Sequence, residues 1–151
     1  MKALKTIGLV AHDNQKRDLV DWVDANSLTL SRHRLVCTGT TGKLVSQMFK
    51  QKHPDIDVEI ILLKSGPLGG DQQLGAMISN GKVDFIVFLT DPMTMQPHDV
   101  DVKALIRMGI IYNVVMACNL TTADFVIASP LFTTDYEQKI QDYSKYITRE
   151  Y

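Results

Sequence analysis

Four short polar segments of the chain hold the residue types that could do chemistry. Thr38-Gly39-Thr40-Thr41-Gly42 pairs glycines, which let a backbone approach a ligand, with hydroxyl donors. A helical pattern follows at once, and a helix N-terminus adds free N–H groups and a favourable dipole for an anion such as phosphate. It is not a Walker loop, because the spacing from Gly39 to Gly42-Lys43 is too short for one. A plain strand-to-helix turn capped by Thr38 would use the same residues. Ser65-Gly66-Pro67-Leu68-Gly69-Gly70-Asp71 is a second glycine-rich loop and ends in an acid at a helix start. Asp71 could be a cap, although a cap does not need three glycines and a proline before it. Near Asp91, the run His98-Asp99-Val100-Asp101 sets a histidine among carboxylates, an arrangement suited to general acid–base work. A solvated loop, with Asp99 capping, is the plainer alternative. His12-Asp13 comes last, with Lys16 one turn further on as either a solvated lysine or a phosphate partner. His12-Asp13 and His98-Asp99 would suit a metal, but no His-x-x-x-His and no cysteine ligand pair accompanies them. No metal and no cofactor is expected.

These segments need elements to position them. Thr6–Ala11, Leu35–Cys37, Val58–Leu63, Phe85–Leu89 and Val114–Ala117 are short and nearly unbroken apolar runs, the habit of parallel strands buried on both faces. Helical stripes fill the gaps: Leu19, Trp22, Val23 and Asn26; Leu44, Val45, Met48 and Phe49; Leu74, Met77 and Ile78; Val102, Leu105 and Ile106. Tyr136, Ile140, Tyr143 and Ile147 continue that spacing and predict a docked last helix. The fold class is α/β: a single doubly wound domain over residues 1–151, with a five-stranded, mostly parallel sheet and helices on both faces. Each strand then ends in a polar segment, the fifth at Asn119, and all five should meet at one crevice along the C-terminal edge. His33 and His53 fall at the opposite end and are expected on the surface. Cys37 and Cys118 are expected in the core, and Met93 and Met95 find no role.

Composition narrows the class. Lys and Arg number 16 against 17 Asp and Glu, a net charge of −1, so there is no concentrated basic face for nucleic acid or a membrane surface. Two cysteines cannot make a disulfide scaffold and fit a reducing compartment. The start of the chain carries no leader pattern, and its longest apolar runs are too short to span a bilayer. A cytoplasmic protein is expected.

The residues also resemble, along nearly the whole length, the bacterial methylglyoxal synthase family. The matching segments are Val10-Ala11-His12-Asp13 with Lys16, Thr38–Gly42, Ser65–Gln73, Asp91-Pro92, Pro97-His98-Asp99 with Asp101–Leu105, and Thr122–Phe125. The effector-binding domain of carbamoyl phosphate synthetase shares the phosphate loop, but not the Gly-Gly-Asp-Gln-Gln and Pro-His-Asp segments. Two places depart from the family pattern. Arg149, expected to pair with Asp13 of another subunit, sits one position off register, and Gln47–Val58 is several residues longer.

The resemblance implies roles. Asp71 is the acid/base that removes a proton from the substrate carbon. His98 polarises the substrate oxygens and relays protons, with Asp101 as its partner. Lys16, Thr38, Gly39, Thr40, Thr41, Ser65 and Gly66 grip the phosphate and substrate, with His12 at the edge. The implied reaction is a metal-free elimination from dihydroxyacetone phosphate: an enediolate forms, stabilised by neutral His98 and loop N–H groups, phosphate leaves, and the enol ketonises to methylglyoxal. The Thr38–Thr41 loop would hold the C–O(phosphate) bond out of the enediolate plane. A homohexamer and inhibition by inorganic phosphate are also implied. A phosphate-effector-binding module without chemistry is the alternative, and a metal-dependent phosphohydrolase ranks below it.

Overall fold

The computed structural model describes residues 1–148. Five strands, β1 (Thr6–Ala11), β2 (Arg34–Cys37), β3 (Glu59–Leu62), β4 (Phe85–Leu89) and β5 (Val115–Ala117), form one sheet in the order β3-β2-β1-β4-β5. Every pairing is parallel. The order reverses direction at β1, so the crevice of such a sheet opens beside the C-terminal ends of β1, β2 and β4.

Strand residues point alternately to the two faces, and the core divides accordingly. Ile7, Leu9, Leu35, Cys37, Phe85 and Val87 join one apolar cluster; Val10, Val36, Ile86 and Phe88 join the other. The first is covered by α1 (Lys16–Ala25), α2 (Ser27–Leu30), α3 (Gly39–Lys52) and α6 (Leu120–Ile127). The second is covered by α4 (Gly70–Ser79) and α5 (Asp99–Ile111). Each stripe read from the sequence supplies its buried residues: Leu19, Trp22 and Val23; Val45, Met48 and Phe49; Leu74 and Ile78; Val102 and Leu105. The longer Gln47–Val58 segment is the end of α3 and its connection to β3.

Several expectations need correction. β3 is apolar but lies at the sheet edge, where Ile61 and Leu62 are exposed. The docked last helix does not form; α7 covers only Ser144–Ile147, and the Tyr136, Ile140, Tyr143 and Ile147 side chains are exposed. The chain ahead of α7 makes its bonds elsewhere. The Met1 ammonium donates to the Tyr136 carbonyl at 2.6 Å, Tyr136 N–H donates back at 2.9 Å, and Gln138 and Lys139 bond to Asn113. Cys37 is buried, which pushes its thiol up to about 12, but Cys118 lies just beyond β5 and is exposed. His33 is buried, not superficial: its ring meets Phe132 edge-on at 5.1 Å, and Nδ1 accepts the Lys5 N–H at 3.2 Å. His53 is half-buried and pairs with Asp24 at 2.7 Å.

Candidate active site

At the C-terminal edge of the sheet the chain encloses a cavity of about 190 Å³. Its lining includes His12, Lys16, Thr38, Gly39, Thr40, Thr41, Ser65, Gly66, Asp71 and His98. Ten of the eleven site residues read from the sequence are therefore together. The exception is Asp101, which points into a different space behind Asp71.

The loops reach this place for local reasons. Gly39 has φ +32°, and an added Cβ would stand 2.6 Å from Ser65 Cα, so only glycine lets the Thr38–Gly42 and Ser65–Asp71 loops touch. The Gly39 N–H is taken by the Leu63 and Lys64 carbonyls, which leaves the N–H groups of Thr40 and Thr41 at the mouth of α3. Thr38 occupies the N-cap position without a side-chain capping bond, so its hydroxyl remains available. In the Ser65–Asp71 loop the Ser65 carbonyl accepts from Leu68 and Gly70, and the Gln73 side chain accepts from Lys64 N–H at 2.8 Å. The turn brings Gly66 against the acid–base pair: a Cβ there would meet His98 Nε2 at 2.9 Å and Asp71 Oδ1 at 3.2 Å.

Asp71 is the second residue of α4 and does not cap it. It is 3% exposed, and neither carboxylate oxygen has a hydrogen-bond partner. His98 Nε2 stands 3.7 Å from Oδ2, within ion-pair range but too long for a hydrogen bond. Burial raises the Asp71 carboxyl above its ordinary value; His98 opposes the shift and Asp101 adds to it. His12 Nδ1 accepts the Asp91 N–H at 3.0 Å, which puts the proton of the neutral ring on Nε2. Burial, with His98 beside it, lowers the His12 pKa and keeps the ring neutral. The Asp91 carboxylate is spent on Asn14 and on Met93 N–H, and so holds the loop instead of entering the cavity. Lys16 pairs with exposed Asp13 at the rim. Arg149, the expected partner of Asp13, lies outside the described residues.

Among the described residues, five buried side-chain nitrogens and oxygens lack a hydrogen-bond partner: His12 Nε2, Thr41 Oγ1, both Asp71 oxygens and His98 Nδ1. All belong to residues lining this one cavity. Buried polar atoms are otherwise almost always paired, so the concentration marks a place prepared for a polar ligand. Four of the five loops contribute. The fifth does not: its Asn119 caps α6 by accepting the Thr122 N–H at 2.8 Å, and the cavity lining holds no residue of that segment. Gln96, not singled out from the sequence, also lines the cavity; its one signal was a place two residues before His98. Met93 and Met95 are exposed on the same loop, away from the lining. No group of three or more His, Cys, Asp or Glu side chains among the described residues is placed to hold a metal ion. No helix among them is long and apolar enough to cross a membrane.

A parallel α/β sheet with an anion-ready helix mouth facing a buried carboxylate and histidine defines a class that handles phosphorylated small molecules. Comparison with known proteins is more specific. The model of the MGS-like domain matches residues 18–118. A methylglyoxal synthase of Maridesulfovibrio salexigens is 51% identical, with 99% of each chain covered. One from Leptospira interrogans is 48% identical over 98% of this chain and 95% of the relative. The crystal structure of methylglyoxal synthase from Elizabethkingia anophelis superimposes with a TM-score of 0.89 at 48% identity, covering 100% of this chain and 95% of that one. The chain belongs to the methylglyoxal synthase family.

Proposed function

We propose that this chain is a carbon–oxygen lyase that converts dihydroxyacetone phosphate to methylglyoxal and inorganic phosphate. The observation that carries the reading is the clustering, among the described residues, of every unpartnered buried polar side-chain atom around one cavity that Asp71, His98 and the first residues of α3 all line. The phosphate lies against the N–H groups of Thr40 and Thr41, the hydroxyls of Thr38, Thr40, Thr41 and Ser65, and Lys16, released from Asp13. Asp71 takes a proton from the hydroxymethyl carbon. Its lack of a hydrogen-bonding partner and its raised pKa make it a stronger base than a solvated carboxylate. The enediolate oxygens accept hydrogen bonds from His98 and from His12 Nε2–H, which need no rearrangement as charge develops. The C–O bond to phosphate then breaks, its electron pair leaves with the phosphate, and the enol ketonises in solution. Inorganic phosphate competes for the same grip, and assembly as a homohexamer belongs to the same reading.

A module that only binds phosphate is the competing reading, and Asp71 weighs against it, since a buried carboxylate beside an anion site weakens anion binding. The test is to supply dihydroxyacetone phosphate in EDTA and measure methylglyoxal and phosphate together. Equal release of both, above the spontaneous rate, is expected. Phosphate with dihydroxyacetone would mean a phosphatase, and phosphate binding without turnover would mean a regulatory module.

A further inference from the structure

His12 enters the cavity from the end of β1, and its ring is held from behind. Its N–H donates to the Leu89 carbonyl at 3.0 Å, which continues the pairing of β1 with β4. The ring meets Phe88 and His98 edge-on, each with centroids 5.7 Å away. These contacts set the plane of the ring. The Asp91 N–H, donating to Nδ1 at 3.0 Å, sets which nitrogen carries the proton. That nitrogen is Nε2, the atom left buried without a partner at the cavity. Where the Asp91 amide stands therefore decides whether His12 offers the substrate a hydrogen or a lone pair.

Asp91 lies two residues past β4, outside any helix or strand, and its side chain anchors its own amide. Oδ1 accepts the Met93 N–H at 2.9 Å, a bond that closes the loop on itself. Oδ2 accepts from Asn14 Nδ2 at 2.8 Å, and this bond crosses to the segment that carries His12. Asn14 follows His12 by two residues in a short 3-10 turn, where the Gln15 N–H donates to the His12 carbonyl at 2.9 Å. The same two segments are thus joined twice, by His12 on the Asp91 amide and by Asn14 on the Asp91 carboxylate. The Thr94 hydroxyl above all, then the Met93 N–H and Asn14, hold the Asp91 carboxyl below the usual range and so keep it an acceptor. Asn14 itself is exposed and stands outside the cavity lining.

We propose that Asn14 is a positioning residue for the reaction: through Asp91 it keeps the Asp91 N–H on His12 Nδ1, and so keeps His12 Nε2–H aimed at the substrate oxygens. The inference rests on the elimination reading above and adds to it the group that holds His12 in one tautomer. Neither Asn14 nor His12 transfers a proton in this role. His12 donates a hydrogen bond that strengthens as the enediolate gains charge, whereas a ring free to change tautomer would turn a lone pair toward that charge.

Asn14→Ala removes the crossing bond without altering the lining. It should lower kcat roughly 5-fold with KM and the inhibition constant for phosphate unchanged, since the loss falls on the transition state. Exchanging the pair, Asn14→Asp together with Asp91→Asn, reverses donor and acceptor, keeps the net charge and leaves an oxygen for the Met93 N–H. It should bring kcat back to within about 2-fold of wild type. Nitrogen-15 spectra give a readout independent of activity. Wild type should show His12 as the Nε2–H tautomer alone and a slowly exchanging Asp91 amide; Asn14→Ala should show both tautomers and faster exchange, and the exchanged pair should show the wild-type pattern. Wild-type kcat in Asn14→Ala, a lowered kcat over unchanged His12 signals, or an exchanged pair no faster than Asn14→Ala would each overturn the assignment. Failure of the wild-type chain to make methylglyoxal would remove the elimination reading instead, and the spectra would still decide whether Asn14 positions His12.

Discussion

The two ends of the sheet both bury polar side chains and treat them in opposite ways. At the N-terminal edge, Lys5 is 2% exposed, yet its ammonium donates to the Lys2 and Thr134 carbonyls at 2.5 and 2.9 Å. There His33 Nδ1 accepts the Lys5 N–H, and Asp84 accepts the Thr6 N–H at 2.7 Å. At the C-terminal edge, Asp71, His98, His12 and Thr41 are as deeply buried and hold atoms with no partner. One end uses polarity to close the fold. The other leaves it unsatisfied, at a cost in stability, for a ligand that supplies the missing partners.

Substitutions at the two ends should therefore separate stability from activity. The largest effect belongs to Asp71→Asn, which should cut turnover by about 10³-fold or more in steady-state assays while the protein stays folded. At the opposite end, Asp84→Ala orphans the Thr6 N–H and should cost about 1–3 kcal/mol in urea unfolding, with kcat/KM unchanged in the protein that remains folded. Gly39→Ala should raise KM roughly 10-fold by pushing the Thr38–Thr41 loop off Ser65, because its positive φ and the 2.6 Å approach leave a Cβ no room. Thr41→Val is the mildest: a few-fold rise in KM and in the inhibition constant for phosphate, with unfolding stability equal or higher, since Oγ1 has no partner to lose. A pH profile sharpens the same contrast. Asp71 must be ionised to act, and burial raises its pKa, so kcat/KM should fall on acidification with a midpoint above the ~3.9 of an ordinary aspartate.

The site was legible where it depends on chain order and the fold where it depends on periodicity. Strand runs fixed five segments to one edge, and the glycines and acids after β2 and β3 marked the two loops that touch. What escaped depends on packing between distant segments. His33 lies at the far end as strand polarity requires, but Phe132, a hundred positions later, covers it. The Tyr136–Ile147 stripe has helical spacing and no face of this chain to dock on, so backbone bonds to Met1 and Asn113 decide its shape. The side of Asp71 on which Asp101 stands follows from how α4 and α5 pack, which no spacing within α5 reveals.

The central claim is that Asp71 is buried without partners for the sake of the reaction, not the fold. Its raised pKa means that the folded chain loses stability as pH rises through the unfolded and then the folded value, a penalty fully present above the folded value. The most direct measurement is the unfolding free energy of Asp71→Asn against wild type at pH 7 in phosphate-free buffer. The account predicts a variant at least as stable as wild type, by about 1 kcal/mol or more, although inactive. A variant destabilised to the degree of Asp84→Ala would show that Asp71 holds the structure together, and would contradict the account.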